Sequence, residues 1–206
     1  AYHDALSILD RVGTAKARAM VGCNLGNVYS TLGSLERARA TLERSLRVAR
    51  EANLRLLEGY DLLLLGVVAR SEDRLPAAEE HLKEARAVLQ AAGNSAEACV
   101  AAAKLADVYR ETGRFGEAAA LLADAEAQAR SLGAPASLAR CLTSRGRLEV
   151  SRPEGDLSAA EEWLDEALAL AEKEGDAELK AEIEHGLALL HERRGEIDEA
   201  LAILRA

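Results

Sequence analysis

What this 206-residue chain has little of narrows it before any motif is read. It holds three prolines and six aromatic residues (one Trp, one Phe, four Tyr), so the Ala-, Leu-, Glu- and Arg-rich remainder favours helix, where those side chains lose little rotamer freedom. Its three cysteines, Cys23, Cys99 and Cys141, are odd in number and far apart. That excludes a disulfide framework and fits a reducing, cytoplasmic compartment. No apolar run approaches the roughly 18–20 residues needed to span a bilayer, and no signal-peptide pattern opens the chain. Acidic groups outnumber basic ones: the formal net charge is −9, which argues against the basic stripe of a nucleic-acid-binding surface.

The chemistry of catalysis is missing too. There is no Gly-rich phosphate loop and no Ser or Cys flanked by a plausible base. His185 and His191 are six residues apart, about 240° around a helix, so adjacent turns cannot offer both to one metal. Glu182 with His185 is a lone Glu-x-x-His, whereas a di-iron bundle needs two such pairs and further carboxylates. The expectation is a protein that is not an enzyme, with no cofactor and no metal site. Gly22 and Gly26 form a small-x-x-x-small pair that reads as close helix packing rather than membrane dimerisation.

Against these absences stands one strong positive signal, a repeat of about 40 residues. Gly26, Gly66, Ala106, Gly146 and Ala188 form one ladder; Gly33, Asp73, Gly113, Gly155 and Gly195 form a second. Leu35, Leu75, Phe115, Leu157 and Ile197 follow in register, then Ala38, Ala78, Ala118, Ala160 and Ala200, then Leu42, Leu82, Leu122, Leu164 and Leu204. Asn53, Gly93, Gly133 and Gly175 mark a further boundary.

The third unit shows the logic. Asn94 is placed to cap a helix over about 95–112, and Leu105, Val108 and Tyr109 give it one apolar stripe. Gly113 stops it, since glycine accepts the left-handed conformation at a helix end. A second helix over about 115–131 turns Phe115, Ala118, Leu122 and Ala125 to one face, and Gly133 ends it. Such a hairpin cannot bury its apolar faces alone; stacking the next one does so. The Gly/Ala ladders belong where two helices cross closely, because extra methylenes there cost about 1–3 kcal/mol.

This order of residues resembles the tetratricopeptide repeat: Leu25-Gly26, Tyr29, Gly33, Ala38 and Leu42, and again Leu105-Ala106, Tyr109, Gly113, Phe115, Ala118, Leu122 and Ala125. The usual unit has about 34 residues. The longer unit here is similar to those of kinesin light chains, spindle-orientation adaptors and bacterial regulators of the maltose-activator type. The resemblance implies an all-α, right-handed superhelical solenoid of antiparallel helix pairs. It would be divided as 1–13 (second helix of an incomplete repeat), 14–53, 54–93, 94–133, 134–175 and 176–206, the last uncapped.

The resemblance also implies that the first helices line a concave groove for a protein or peptide ligand. Carried onto this chain, that groove comprises Met20, Cys23, Asn24, Asn27, Tyr60, Leu63, Val67, Arg70, Asp107, Arg110, Arg140 and Arg147. Asn24-Leu25-Gly26-Asn27 matches a motif whose asparagines bond the backbone of an extended peptide, and an amide suits that task because it donates and accepts. Its alternative is an asparagine bonded to a neighbouring turn. The stretch from Tyr60 to Val68, apolar apart from Asp61 and Gly66, is either buried on both sides or presents Leu63 and Val67 to a ligand. Arg110, Arg140 and Arg147 suggest a basic patch for carboxylates, with solvated ion pairs as the alternative. Two extra residues fall between Gly146 and Gly155, at Arg152-Pro153-Glu154. The expected role is a protein-interaction module in a larger bacterial regulator. A ligand-sensing or autoinhibitory arm, and self-assembly through the open last helix, are the alternatives.

Overall fold

A computed structural model describes residues 13–205 of the protein. The expected incomplete repeat at the start, with Ala5 and Leu9, lies outside the described residues. Among the described residues there are ten helices and no strand. The chain divides into two compact units, Ala1–Ala101 and Ala102–Ala206, with the boundary inside the fifth helix.

The first unit contains α1 (Ala15–Thr31), α2 (Leu35–Glu51), α3 (Arg55–Ser71), α4 (Leu75–Ala91) and the first half of α5 (Ser95–Glu111). Helix α1 packs on α2, α2 on α3 and α3 on α4, while α1 also touches α3 directly. The second unit holds the rest of α5, then α6 (Phe115–Leu132), α7 (Pro135–Ser151), α8 (Leu157–Glu174), α9 (Ala177–Arg194) and α10 (Ile197–Ile203). There α6 packs on α7, α7 on α8, α8 on α9, α9 on α10, and α7 on α9. Each unit is a stack of antiparallel helix pairs, and the fold is an all-α repeat solenoid.

The small-residue ladder sits where the helices of a pair cross. A Cβ added to Gly26 would lie 2.5 Å from Leu42, one on Gly66 2.5 Å from Leu82, and one on Gly146 2.6 Å from Leu164. Glycine is required at these points because a core leucine of the second helix occupies the space. Ala38, Leu42, Ala78, Leu82, Ala118, Leu122, Ala160 and Leu164 are all buried. At the helix ends, Asn53, Gly93, Gly133 and Gly175 adopt positive φ (54°, 79°, 59° and 72°) and stop the second helices.

The first-helix stops are less uniform than their ladder implies. Gly33, Asp73, Gly113 and Gly195 have positive φ, but Gly155 does not. The two additional residues lengthen the turn after α7, and Gly155 serves there as a point of close approach: a Cβ on it would lie 1.9 Å from the Glu149 carbonyl oxygen. Arg193 of α9 fastens this turn from the side, donating to the carbonyl oxygens of Glu149 (3.1 Å), Val150 and Pro153 (2.7 Å). Helix α7 carries Arg145 and Glu149 at the positions held in α5 by Leu105 and Tyr109, and both find partners. Arg145 lies 3.8 Å over the Trp163 ring and pairs with Glu126, and Glu149 accepts from Arg152 (2.8 Å) and from the Asp156 backbone (3.2 Å). Short α10 leaves Ile197, Leu201 and Leu204 exposed at 51%, 40% and 61%.

Candidate functional site

The twelve residues expected to line a groove fall into two sets, one in each unit, and the structure sorts them by access. In the first unit, α1 presents Met20, Asn24 and Asn27 to solvent, with Met20 47% exposed. Asn24 and Asn27 make no side-chain hydrogen bond among the described residues, so both amides are free to pair with something else. Cys23, between them in sequence, points the other way and is buried. On α3, Tyr60, Val67 and Arg70 are half-buried. The Tyr60 hydroxyl accepts from the Asn94 side chain at 3.0 Å, while Asn94 Oδ1 caps α5 by accepting from the Glu97 N–H at 3.3 Å. Leu62, Leu63, Leu65 and Val68 are buried, while Leu64 and Val67 are half-buried, so most of the apolar stretch of α3 is core. Cys23 and Leu63 therefore serve packing, a correction that follows from α1 and α3 touching each other directly.

Asp61 is buried at 0% exposure in that same stretch of α3. Burial pushes its carboxyl up to about 7, and the Ser45 hydroxyl and the Cys23 thiol pull it back only in part. Burial likewise pushes the Cys23 thiol upward, with the Asp61 carboxylate adding to the effect, so Cys23 is an unreactive thiol.

In the second unit the inner charges meet one another. Asp107 is buried on α5, which removes it from any ligand, and Arg110 lies 3.8 Å from it while also reaching Glu111 (3.0 Å) and the Ser151 hydroxyl (3.3 Å). Arg140 pairs with Asp176 at 2.9 Å and Arg147 with Glu182 at 3.2 Å. Lys104 of α5 adds a third arm, with Nζ 3.0 and 3.2 Å from the two oxygens of Glu182 on α9. The expected basic patch is thus a set of cations each facing a carboxylate, Arg110 on its own helix and Arg140 and Arg147 at the start and middle of α9. Neither Lys104 nor Ser45 was legible as a site residue, since each finds its partner only through the stacking. Among the described residues no group of three or more His, Cys, Asp or Glu side chains is placed to hold a metal. No described helix is long and apolar enough to cross a membrane.

Comparison with known proteins agrees with this geometry. Tetratricopeptide repeat families match residues 60–131, 23–51 and 182–206, together more than half of the chain. The chain belongs to the tetratricopeptide repeat superfamily. No curated protein matches it significantly. Among solved structures it is similar to BtubC (BKLC) from P. vanneervenii, at 16% identity and a TM-score of 0.70 over 99% of this chain and 84% of that one. It is similar to aspartyl phosphate phosphatase F from Bacillus subtilis, at 16% identity and a TM-score of 0.77 over 98% of this chain and 51% of that one, so it spans about half that protein's length. A Podosopora anserina protein described as a kinesin light chain with nearly identical TPR-like repeats matches at 19% identity and a TM-score of 0.62, over 91% and 92%. At these identities the likeness is one of fold.

Proposed function

We propose that the chain is a non-catalytic protein- or peptide-binding module of a larger bacterial regulator, and that the exposed face of α1 takes part in recognition. The observation that carries this reading is the pair Asn24 and Asn27, two exposed and unbonded amides one turn apart on a first helix. Polar groups that already have partners gain little from a ligand, whereas free amides offer both a donor and an acceptor to an extended main chain. Exposed Met20 on the same helix adds apolar surface beside them. One neighbour of the same fold, from Bacillus subtilis, is about twice as long as this chain, which supports the setting within a larger protein.

The test is selection of peptides against the full 206-residue chain, followed by calorimetric titration of the chain and of an Asn24→Ala/Asn27→Ala double variant. Loss of two hydrogen bonds at about 1 kcal/mol each predicts affinity weakened roughly thirtyfold, with thermal stability unchanged. Equal affinity for both proteins, or no peptide selected, would end the reading.

A second reading has its own observation: exposed Ile197 and Leu201 on α10, with Leu204 just after it, offer an apolar edge for self-association. Leu201→Glu with Leu204→Glu should then turn any oligomer into a 22.0 kDa monomer by light scattering. A wild-type chain already monomeric at high concentration removes it.

A further inference from the structure

One carboxyl group is packed where three helices of the first unit meet, and its hydrogen-bond arrangement reveals which protonation state the fold favours. Asp61 is fully buried, and neither of its oxygens accepts a hydrogen bond. The groups facing it can be named helix by helix. Helix α1 presents the Cys23 thiol, and α2 presents the Ser45 hydroxyl. From α4 the buried residues are Ala78, Leu82, Ala85 and Leu89, all apolar, and from the first half of α5 they are Ala98, Cys99 and Ala101. On α3 itself, Glu58 is occupied by Arg50 and Arg55 (3.0 Å each), and Tyr60 is bonded to Asn94. Among the described residues no Lys, Arg or His forms an ion pair with Asp61.

Ser45 is the telling neighbour. Its hydroxyl donates to the Ala19 carbonyl oxygen of α1 at 2.8 Å, so its proton is already committed away from Asp61. A carboxylate there would have only the weak Cys23 thiol donor to accept from while Ser45 stays bonded to Ala19, and a buried charge so thinly bonded is costly. A protonated carboxyl has an O–H to give, and the Ser45 oxygen has lone pairs left to receive it. The close seat of Ser45 against α1 exists because Gly22 stands opposite: a Cβ at Gly22 would come within 3.0 Å of the Ser45 Cβ.

We propose that Asp61 holds a proton in the native fold and that this proton closes a latch across three helices. The Asp61 O–H donates to Ser45, Ser45 donates to the Ala19 carbonyl, and α3, α2 and α1 are tied in series. When the proton leaves, the Ser45 hydroxyl turns to the carboxylate, the Ala19 bond is given up, and α1 loosens. The upward displacement of the Asp61 carboxyl by burial sets the range. An unfolded aspartate titrates near 4 and the native one at about 7, so the latch contributes fully below about pH 4 and its contribution is lost as pH rises to about 7. Because α1 also carries Asn24 and Asn27, the latch would control how that face is presented; this consequence rests on the peptide-binding reading, while the latch itself does not.

Two measurements on the full chain decide it, and neither uses a peptide. The first is a carbon-13 titration of the Asp61 side-chain carboxyl in the wild-type protein, which needs no variant; the midpoint is expected well above the ordinary aspartate value. The second is amide hydrogen exchange of α1, corrected for intrinsic pH dependence, in wild type and Asp61→Asn. One linked proton predicts that wild-type protection falls up to tenfold per pH unit between about 5 and 7 and then levels, with a flat response in the variant. A carboxyl that titrates below pH 5, or identical pH responses in the two proteins, would overturn the latch.

Discussion

The two units are built from one repeat template yet organise their polar groups in opposite ways. In the first, buried Glu58 takes Arg50 and Arg55, but buried Asp61 has no cation beside it and α1 leaves Asn24 and Asn27 open to solvent. In the second, first helices are cross-linked by charge, with Glu182 of α9 taking both Lys104 of α5 and Arg147 of α7. Its outer side carries a further chain, Arg145 to Glu126 to Arg130 to Glu166. The contrast teaches that a repeat fixes where helices cross but leaves open what fills the positions between crossings. A unit whose inner charges satisfy one another has little left for a partner, and one that leaves amides unbonded has more.

The largest effect should come from the crossings, which the units share. Leu82→Ala in the first unit and Leu164→Ala in the second each remove a fully buried leucine and should cost about 2–5 kcal/mol. Hydrogen exchange resolved by helix should show the loss concentrated in the mutated unit; equal loss in both would mean the chain unfolds as one body and the comparison is only chemical.

Next is the turn peculiar to the second unit. Gly155→Ala drives a methyl into the Glu149 carbonyl and should cost about 1–3 kcal/mol there, while Gly116→Ala, with nothing within 4 Å, should be neutral or mildly stabilising. Equal melting temperatures for the two variants would show that the longer turn is loosely held.

Smaller still is the charge web. Glu182→Gln leaves Lys104 and Arg147 facing an amide and should cost about 1–2 kcal/mol, whereas Arg130→Ala, at an exposed pair, should cost about 0.5 kcal/mol or less. Urea titrations at low and high salt separate them, and a Glu182→Gln cost no larger than that of Arg130→Ala would refute an inner web that matters.

Asp61 should respond to pH with the opposite sign to the ion-paired carboxyls. Arg130 beside Glu166 and Arg194 beside Glu161 hold those carboxyls below the usual range, so their modest contribution is present above about pH 4.5 and fades as the solution is acidified further. Asp61 acts the other way, and helix-resolved exchange between pH 4 and 7 should show the first unit weakening as the pH rises.

The fold was largely legible because a solenoid writes its contacts into a period. Gly26, Gly66 and Gly146 recur because each faces the next helix's leucine, a local and repeated relation. Of the residues expected in the groove, Met20, Asn24 and Asn27 on α1 are the exposed ones. Cys23, Leu63 and Asp107 carry the same nominal register but turn into the stack, because the side of a first helix that looks open in one hairpin is closed by the next. The arginines show the same limit: nothing near Arg140 or Arg147 in sequence announces Asp176 or Glu182, some 35 residues away.

By itself the sequence determined the helix pairs, their turns and the residues at their crossings, since each depends on neighbours within one hairpin or on chain stereochemistry. Tertiary structure alone decided which charges found partners, how Arg193 secures the longer turn, and that Asp61 lies beside Ser45 with no cation to receive it. Those outcomes depend on side chains brought together by stacking, where burial strengthens every charge and a shift of a few ångströms separates a paired group from an orphaned one.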